Sequence, residues 1–272
     1  MTLISAAAEG LRLRDEQKIT AALDNAVKQQ NAVTAAEIRL IHANYFFFTV
    51  QNRRALEEYE QVAQAAAETG DEILSALARI GQADVHFRSS DYKRVTEMIA
   101  KAEPVFRRNA FDEGLGHVSR LRGHMPFYAG DYEASLRYFA EALKHYEKAG
   151  YAFGLGSVHK YLGDIQIERG ENEQALAEYD RAERYFRTPE DAFGLGWVFW
   201  ARGVFHQNVG NFEKALQLFD QAHAFFVSAK YPLGVGNALK SEADIYRFAG
   251  DAERALEYYE KAKHYYEAAE ST

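Results

Sequence analysis

Along the second half of the chain, apolar side chains recur with the spacing i, i+1, i+4, i+7, i+11. They read Ala175, Leu176, Tyr179, Ala182 and Phe186, then Ala215, Leu216, Phe219, Ala222 and Phe226, then Ala255, Leu256, Tyr259, Ala262 and Tyr266. At 3.6 residues per turn these positions share one side of a helix, so each set predicts an amphipathic helix with one buried stripe. Just before each set stands Gly followed by a capping residue: Gly170-Glu171, Gly210-Asn211 and Gly250-Asp251, with Gly130-Asp131 heading a fourth. Glycine relaxes the left-handed turn that ends a helix, and a side-chain acceptor caps the next. The pattern predicts a helix A, a tight turn and an antiparallel helix B.

The pair repeats. Segments starting at Phe111 (FDEGLG), Tyr151 (YAFGLG), Asp191 (DAFGLG) and Tyr231 (YPLGVG) restart every 40 residues, and weaker copies start at Asn31 and Asp71. Six repeats therefore span 31–70, 71–110, 111–150, 151–190, 191–230 and 231–270, after an N-terminal segment 1–30 and before a tail 271–272. Repeat position 6 is always small (Ala36, Ala76, Gly116, Gly156, Gly196, Gly236), as is position 13 (Ala43, Ala83, Gly123, Gly163, Gly203, Ala243). Small residues on helix A are expected to let two helix backbones approach closely. Gly154-Leu155-Gly156 is then a packing motif, since it recurs, lacks a third Gly and follows no strand, and no nucleotide site is expected.

Composition narrows the chemistry. With no Cys in 272 residues, disulfides, thiol nucleophiles and Cys-based metal centres are excluded. The net charge of −8 and the scattered Lys and Arg argue against a nucleic-acid footprint. No apolar run approaches a membrane span and no leader is legible at MTLISAAAEG, so no membrane contact and a cytoplasmic location are expected.

The stretch Gly130–Leu143, with GNFEKALQLFDQA (210–222), GDAERALEYYEKA (250–262) and Leu162-Gly163, resembles the tetratricopeptide repeat (TPR). The long unit is similar to the variety in kinesin light chain, the LGN polarity adaptor and the bacterial regulator MalT. The likeness covers 31–270, most clearly from 111 onward. It implies an all-α fold, a right-handed α-solenoid of antiparallel helix pairs whose A helices line a concave groove for a protein or peptide partner. The Asn ladder of LGN-type grooves is missing: position 11 reads Ile41, Gly81, Leu121, Tyr161, Ala201, Ser241.

If positions 5, 8, 13 and 15 of helix A face the core, then 7, 10, 14 and 17 face the groove. That row holds His117, Arg120, His124, Lys160, Asp164, Trp197, Trp200 and Lys240, with Phe47, Phe87 and Phe127 at position 17. Arg and Trp are enriched at binding hot spots. Arg120, Lys160 and Lys240 are therefore expected to meet an acidic or carboxylate feature of the partner, and Trp197 and Trp200 an apolar anchor. The plainer alternative is that Lys160 with Asp164, and Lys240 with Asp244, neutralise each other on a solvated helix face. Pro126 and Pro104 lie inside predicted helices, where they would widen the groove or simply be tolerated, whereas Pro189 and Pro232 sit at repeat boundaries.

The leading reading is a non-catalytic protein-interaction scaffold. The alternative is a ligand- or peptide-sensing module of a bacterial signalling or transcription regulator, and an enzyme is the residual. For the last, His117, Arg120 and His124 share a helix face with Asp84 or Asp164 nearby, but no catalytic motif supports them, and Ser157 and His159 point apart. No metal or cofactor is expected. The stripe Ile19, Ala22, Leu23, Ala26 and Val27 reads as an N-terminal cap. The last helix, with Tyr258 and Tyr265, reads as an uncapped face available for self-association.

Overall fold

The computed structural model describes residues 2–187 and 191–270. Among these residues the fold is all-α, with fourteen helices. The first three are α1 (Leu3–Arg12), α2 (Glu16–Lys28) and α3 (Ala32–Phe48), followed by α4 (Asn52–Thr69), α5 (Glu72–Arg88), α6 (Tyr92–Arg108), α7 (Asp112–Tyr128) and α8 (Tyr132–Ala149). The rest are α9 (Ala152–Glu168), α10 (Asn172–Phe186), α11 (Ala192–Asn208), α12 (Phe212–Ser228), α13 (Pro232–Phe248) and α14 (Ala252–Glu270). They form two compact halves, residues 1–151 and 152–272. In each half the helices pair in sequence, and each A-type helix also packs on the next: α3 on α5 and α5 on α7, then α9 on α11 and α11 on α13.

Caps and turns follow from the residues at the repeat junctions. Asp131 Oδ1 accepts from the Ala134 amide at 3.0 Å, Asn211 Oδ1 from Lys214 at 3.3 Å and Asp251 Oδ1 from Arg254 at 3.1 Å, whereas Glu171 makes no side-chain cap bond. Gly130, Gly170, Gly210 and Gly250 all adopt positive φ, between 74° and 80°. The first two repeats place Val50 (φ 66°) and Ser90 (φ 59°) at the same turn, a conformation that crowds Cβ against the following carbonyl.

The small A-helix positions serve an end different from the backbone-to-backbone approach expected of them. They make room for rings of helix B. A Cβ on Gly123 would lie 2.6 Å from the Phe139 ring, one on Gly163 2.5 Å from Tyr179, and one on Gly203 2.5 Å from Phe219. The ring at position 36 goes further and is held by two repeats. Phe186 lies against Gly156 of its own repeat and Gly194 of the next, and Phe226 against Gly196 and Gly234, at 2.8, 2.3, 2.6 and 2.5 Å from the missing Cβ atoms. Phe226 is fully buried and Phe186 nearly so, and these rings knit each repeat to its successor.

Three other expectations change in detail. Residues 2–30 are a helix pair, α1 and α2, in which Ile19 fills the space beside Gly10, while Val27 is 56% exposed and so off the buried stripe. The helices α6 and α7 continue through Pro104 and Pro126, both near a C-terminal end. Pro232 opens α13, where its missing N–H leaves no bond unmade, and Pro189 lies outside the described residues.

Candidate functional site

In the first half, the A-helix row is closed by its own partners. Tyr146, fully buried on α8, has its hydroxyl 3.0 Å from His117 Nδ1. Arg120 Nη2 donates to both carboxylate oxygens of Asp84 on α5, each at 2.8 Å, and its side chain is 14% exposed. Burial works against the guanidinium charge, but Asp84 and Tyr146 more than offset it and hold the group above its ordinary range. The Tyr146 hydroxyl is pushed up by the same burial. His124 is not on the open face: it is 4% exposed, with Phe87 and Phe139 rings 5.3 and 5.6 Å away. His117, Arg120 and His124 thus share a helix without converging on an open cavity.

The repeat explains why those residue types occur there. Wherever helix B carries Tyr at position 29, helix A offers Asn or Asp at position 14: Tyr59 to Asn44 at 2.7 Å, Tyr179 to Asp164 at 2.9 Å and Tyr259 to Asp244 at 2.6 Å. Phe139 and Phe219 face His124 and Val204 instead, having no hydroxyl to satisfy. The same rule links position 36 to position 7, with Tyr146 on His117 and Tyr266 Oη 2.8 Å from Asn237 Oδ1. A buried hydroxyl left unmatched would cost about 1–3 kcal/mol, so these polar residues are first of all acceptors for tyrosines. The rule was present in the chain's own six copies and could have been read there. Asp84 is its exception: position 29 of that repeat is Ile99, and the spare carboxylate takes Arg120.

In the second half the row is as closed at Lys160, whose side chain is 14% exposed, and opens only at Lys240. Lys160 Nζ bonds Asp164 at 2.7 Å and lies 4.7 Å from the Tyr161 ring centroid and 5.6 Å from that of Trp197. Asp164 also accepts from Tyr179, whose hydroxyl is held high by burial and by that carboxylate. Trp197 and Trp200 meet edge to face with centroids 5.6 Å apart, and Trp200 Nε1 donates to Ser241 at 3.0 Å. Both indoles are half-buried, Trp197 against Phe226 and Tyr231. Lys240 is 55% exposed and reaches Asp244 at 3.0 Å, and it opens onto a cleft of about 590 Å³. Phe212, Arg247 and Phe248 also line that cleft, and the groove reading of the sequence did not name them.

Other ionisable clusters are structural. His159 Nδ1 lies 2.6 Å from Glu178 and its ring stacks on Tyr185. Tyr258 packs on Tyr246, with centroids 5.2 Å apart, and Tyr265 is half-buried beside His264. Among the described residues, no group of three or more His, Asp or Glu side chains is placed to hold a metal ion, and no helix is long and apolar enough to cross a membrane.

Comparison with known proteins accords with this geometry. Residues 195–268 match the tetratricopeptide repeat family. No curated protein matches the chain. Solved structures do: the Rap conjugation gene regulator of plasmid pLS20 in complex with the Phr* peptide has a TM-score of 0.76 at 14% identity, over 99% of this chain and 74% of that one. The apo form of RapI has a TM-score of 0.66 at 15% identity, over 99% and 98%. Aspartyl phosphate phosphatase F from Bacillus subtilis has a TM-score of 0.66 at 15% identity, over 95% and 68%. At such identities the likeness is one of fold. The ring-on-glycine packing, the capped turns and the matched segment lead to one conclusion: this chain has the tetratricopeptide-repeat fold, an α-solenoid of antiparallel helix pairs.

Proposed function

We propose that the chain is a non-catalytic interaction scaffold that holds a peptide or protein segment on the A-helix face of its second half. The observation that supports this most is the exposure of Lys240 among the cations of the row. Arg120 and Lys160 are consumed by Asp84 and Asp164, whereas Lys240 stands exposed on an open cleft, on the same helical row as the half-buried Trp197 and Trp200. An acidic feature of the segment would meet Lys240, and an apolar anchor the indole pair. The solved Rap regulator with bound Phr* peptide favours a peptide as the occupant and supports a second reading, a peptide-sensing module of a signalling protein. One fold neighbour is a phosphatase by name, so the non-catalytic part of the proposal rests on the site and not on the fold. A cytoplasmic location belongs to the same proposal.

The chain's two tryptophans, both at this site, supply the assay. Candidate acidic and neutral peptides are titrated while indole emission is followed. Saturable binding by acidic peptides, weakened at least tenfold in Lys240→Glu, is expected. Equal affinity of wild type and Lys240→Glu would remove Lys240 from the site, and no emission change with any bound peptide would remove the indoles. We further propose that α14 offers a self-association face through Leu256, 61% exposed, with Tyr258 and Tyr265. A monomer by light scattering, unchanged in Tyr258→Glu, refutes it.

A further inference from the structure

The cleft beside Lys240 has a chemistry of its own. Phe212 and Phe248 come from different repeats, at the start of α12 and the end of α13, and are 38% and 59% exposed. Their rings are parallel within 7°, with centroids 6.4 Å apart. That is within the ~4.5–7 Å range of aromatic pairs, and the two rings present a shared, partly solvated aromatic surface on which a further ring can pack.

The polar wall is equally specific. Lys240 and Arg247 share one counter-ion, Asp244, at 3.0 and 3.7 Å. Although burial pushes the other way, the Tyr259 hydroxyl and Lys240 hold that carboxyl below its usual range, so it stays ionised. Two cations against one anion leave a positive excess, in a chain whose net charge is −8. The Arg247 guanidinium lies over the Phe248 ring, 4.5 Å from its centroid, placing the cation on the aromatic surface itself. A volume of about 590 Å³ falls in the ~300–1,000 Å³ range of small-molecule sites.

We infer that this cleft binds a small planar aromatic anion, its ring packed against Phe212 and Phe248 and its anionic group held by Lys240 and Arg247. The inference goes beyond the scaffold reading and does not depend on any partner segment. It is tested on the full chain by calorimetric titration with 2-naphthoate, cyclohexanecarboxylate and inorganic phosphate. Saturable 2-naphthoate binding is expected, at least tenfold tighter than either other probe. It should weaken at least tenfold in Phe248→Ala and in the double variant Lys240→Gln with Arg247→Gln, and survive in Phe248→Trp, all with unchanged circular dichroism. No saturable 2-naphthoate binding at millimolar concentration overturns the inference. So does equal binding of cyclohexanecarboxylate, or affinity indifferent to Phe248→Ala. Because the probes are free small molecules, these outcomes stand whether or not any peptide binds at the indole pair.

Discussion

The Phe226 clamp makes the sharpest claim about what builds this fold. Gly196 and Gly234 lie within helices α11 and α13, where helix propensity alone favours Ala by about 0.8–1.0 kcal/mol. A Cβ on Gly196 would stand 2.6 Å from Phe226 ring carbons, and one on Gly234 2.5 Å, each about 1 Å inside the ~3.5–4.0 Å contact optimum. The ring cannot retreat from one glycine without closing on the other. Overpacking of this kind costs about 1–3 kcal/mol, so each substitution is expected to destabilise by about 1 kcal/mol net, and the pair by more than the sum. Thermal unfolding followed by circular dichroism should register a loss of roughly 2–4 °C per kcal/mol. In a Phe226→Leu background the smaller side chain can yield, and Gly196→Ala should become neutral or stabilising. A Tm that rises in Gly196→Ala with Phe226 intact would refute the clamp. A loss undiminished by Phe226→Leu would show that the strain lies elsewhere.

Three further outcomes follow from the coordinates. Ser90→Gly, at an exposed turn with φ 59°, should stabilise by about 0.5–1 kcal/mol, because relief of ~1–2 kcal/mol outweighs glycine's entropy cost of ~0.5–1 kcal/mol. Val50→Gly, at the same turn position but 5% exposed, should destabilise, because it gives up burial worth about 1.5–3 kcal/mol; urea denaturation separates the signs. Asp84→Asn strands the buried Arg120 and should cost about 3–5 kcal/mol, against less than about 1 kcal/mol for Lys240→Gln at its exposed pair. Glu242, 6% exposed on α13, is pushed up to about 7 by burial and by Asp220, with Lys261 acting oppositely. Its folded pKa lies above the unfolded one, so stability is highest below about 4.5 and declines as pH rises through 7. Glu242→Gln should therefore gain up to about 3 kcal/mol at pH 8 and nothing at pH 4, as read by Tm against pH.

Period and patterning carried the architecture. A 40-residue restart with Gly and Asp at fixed offsets specifies where helices stop and start, because glycine's freedom at positive φ and the capping carboxylate act within a few residues of chain. The role of the small positions was less legible. Gly123 reads the same whether a backbone or the Phe139 ring fills the space beside it, and only packing distinguishes the two. Spacing alone also put His117, Arg120, His124 and Asp164 on one face, and so could not show that Tyr146, Asp84, Phe87 and Tyr179 claim them. The covariation between positions 14 and 29 was legible in the repeats as a pattern, though not as a hydrogen bond.

The cleft lies beyond any such reading. Phe212 belongs to the B helix of one repeat, and Phe248 and Arg247 to the A helix of the next. The sequence by itself determined the helices, their order and their buried stripes, since those depend on short-range sterics and on a periodicity of 3.6 residues. Which polar side chains are spent inside the fold, and which remain free to meet a ligand, was decided by tertiary structure alone. A charge is consumed or left available according to what stands within about 3 Å of it: Lys160 and Lys240 meet Asp164 and Asp244 on their own helices, whereas the Asp84 that claims Arg120 comes from a helix distant in sequence.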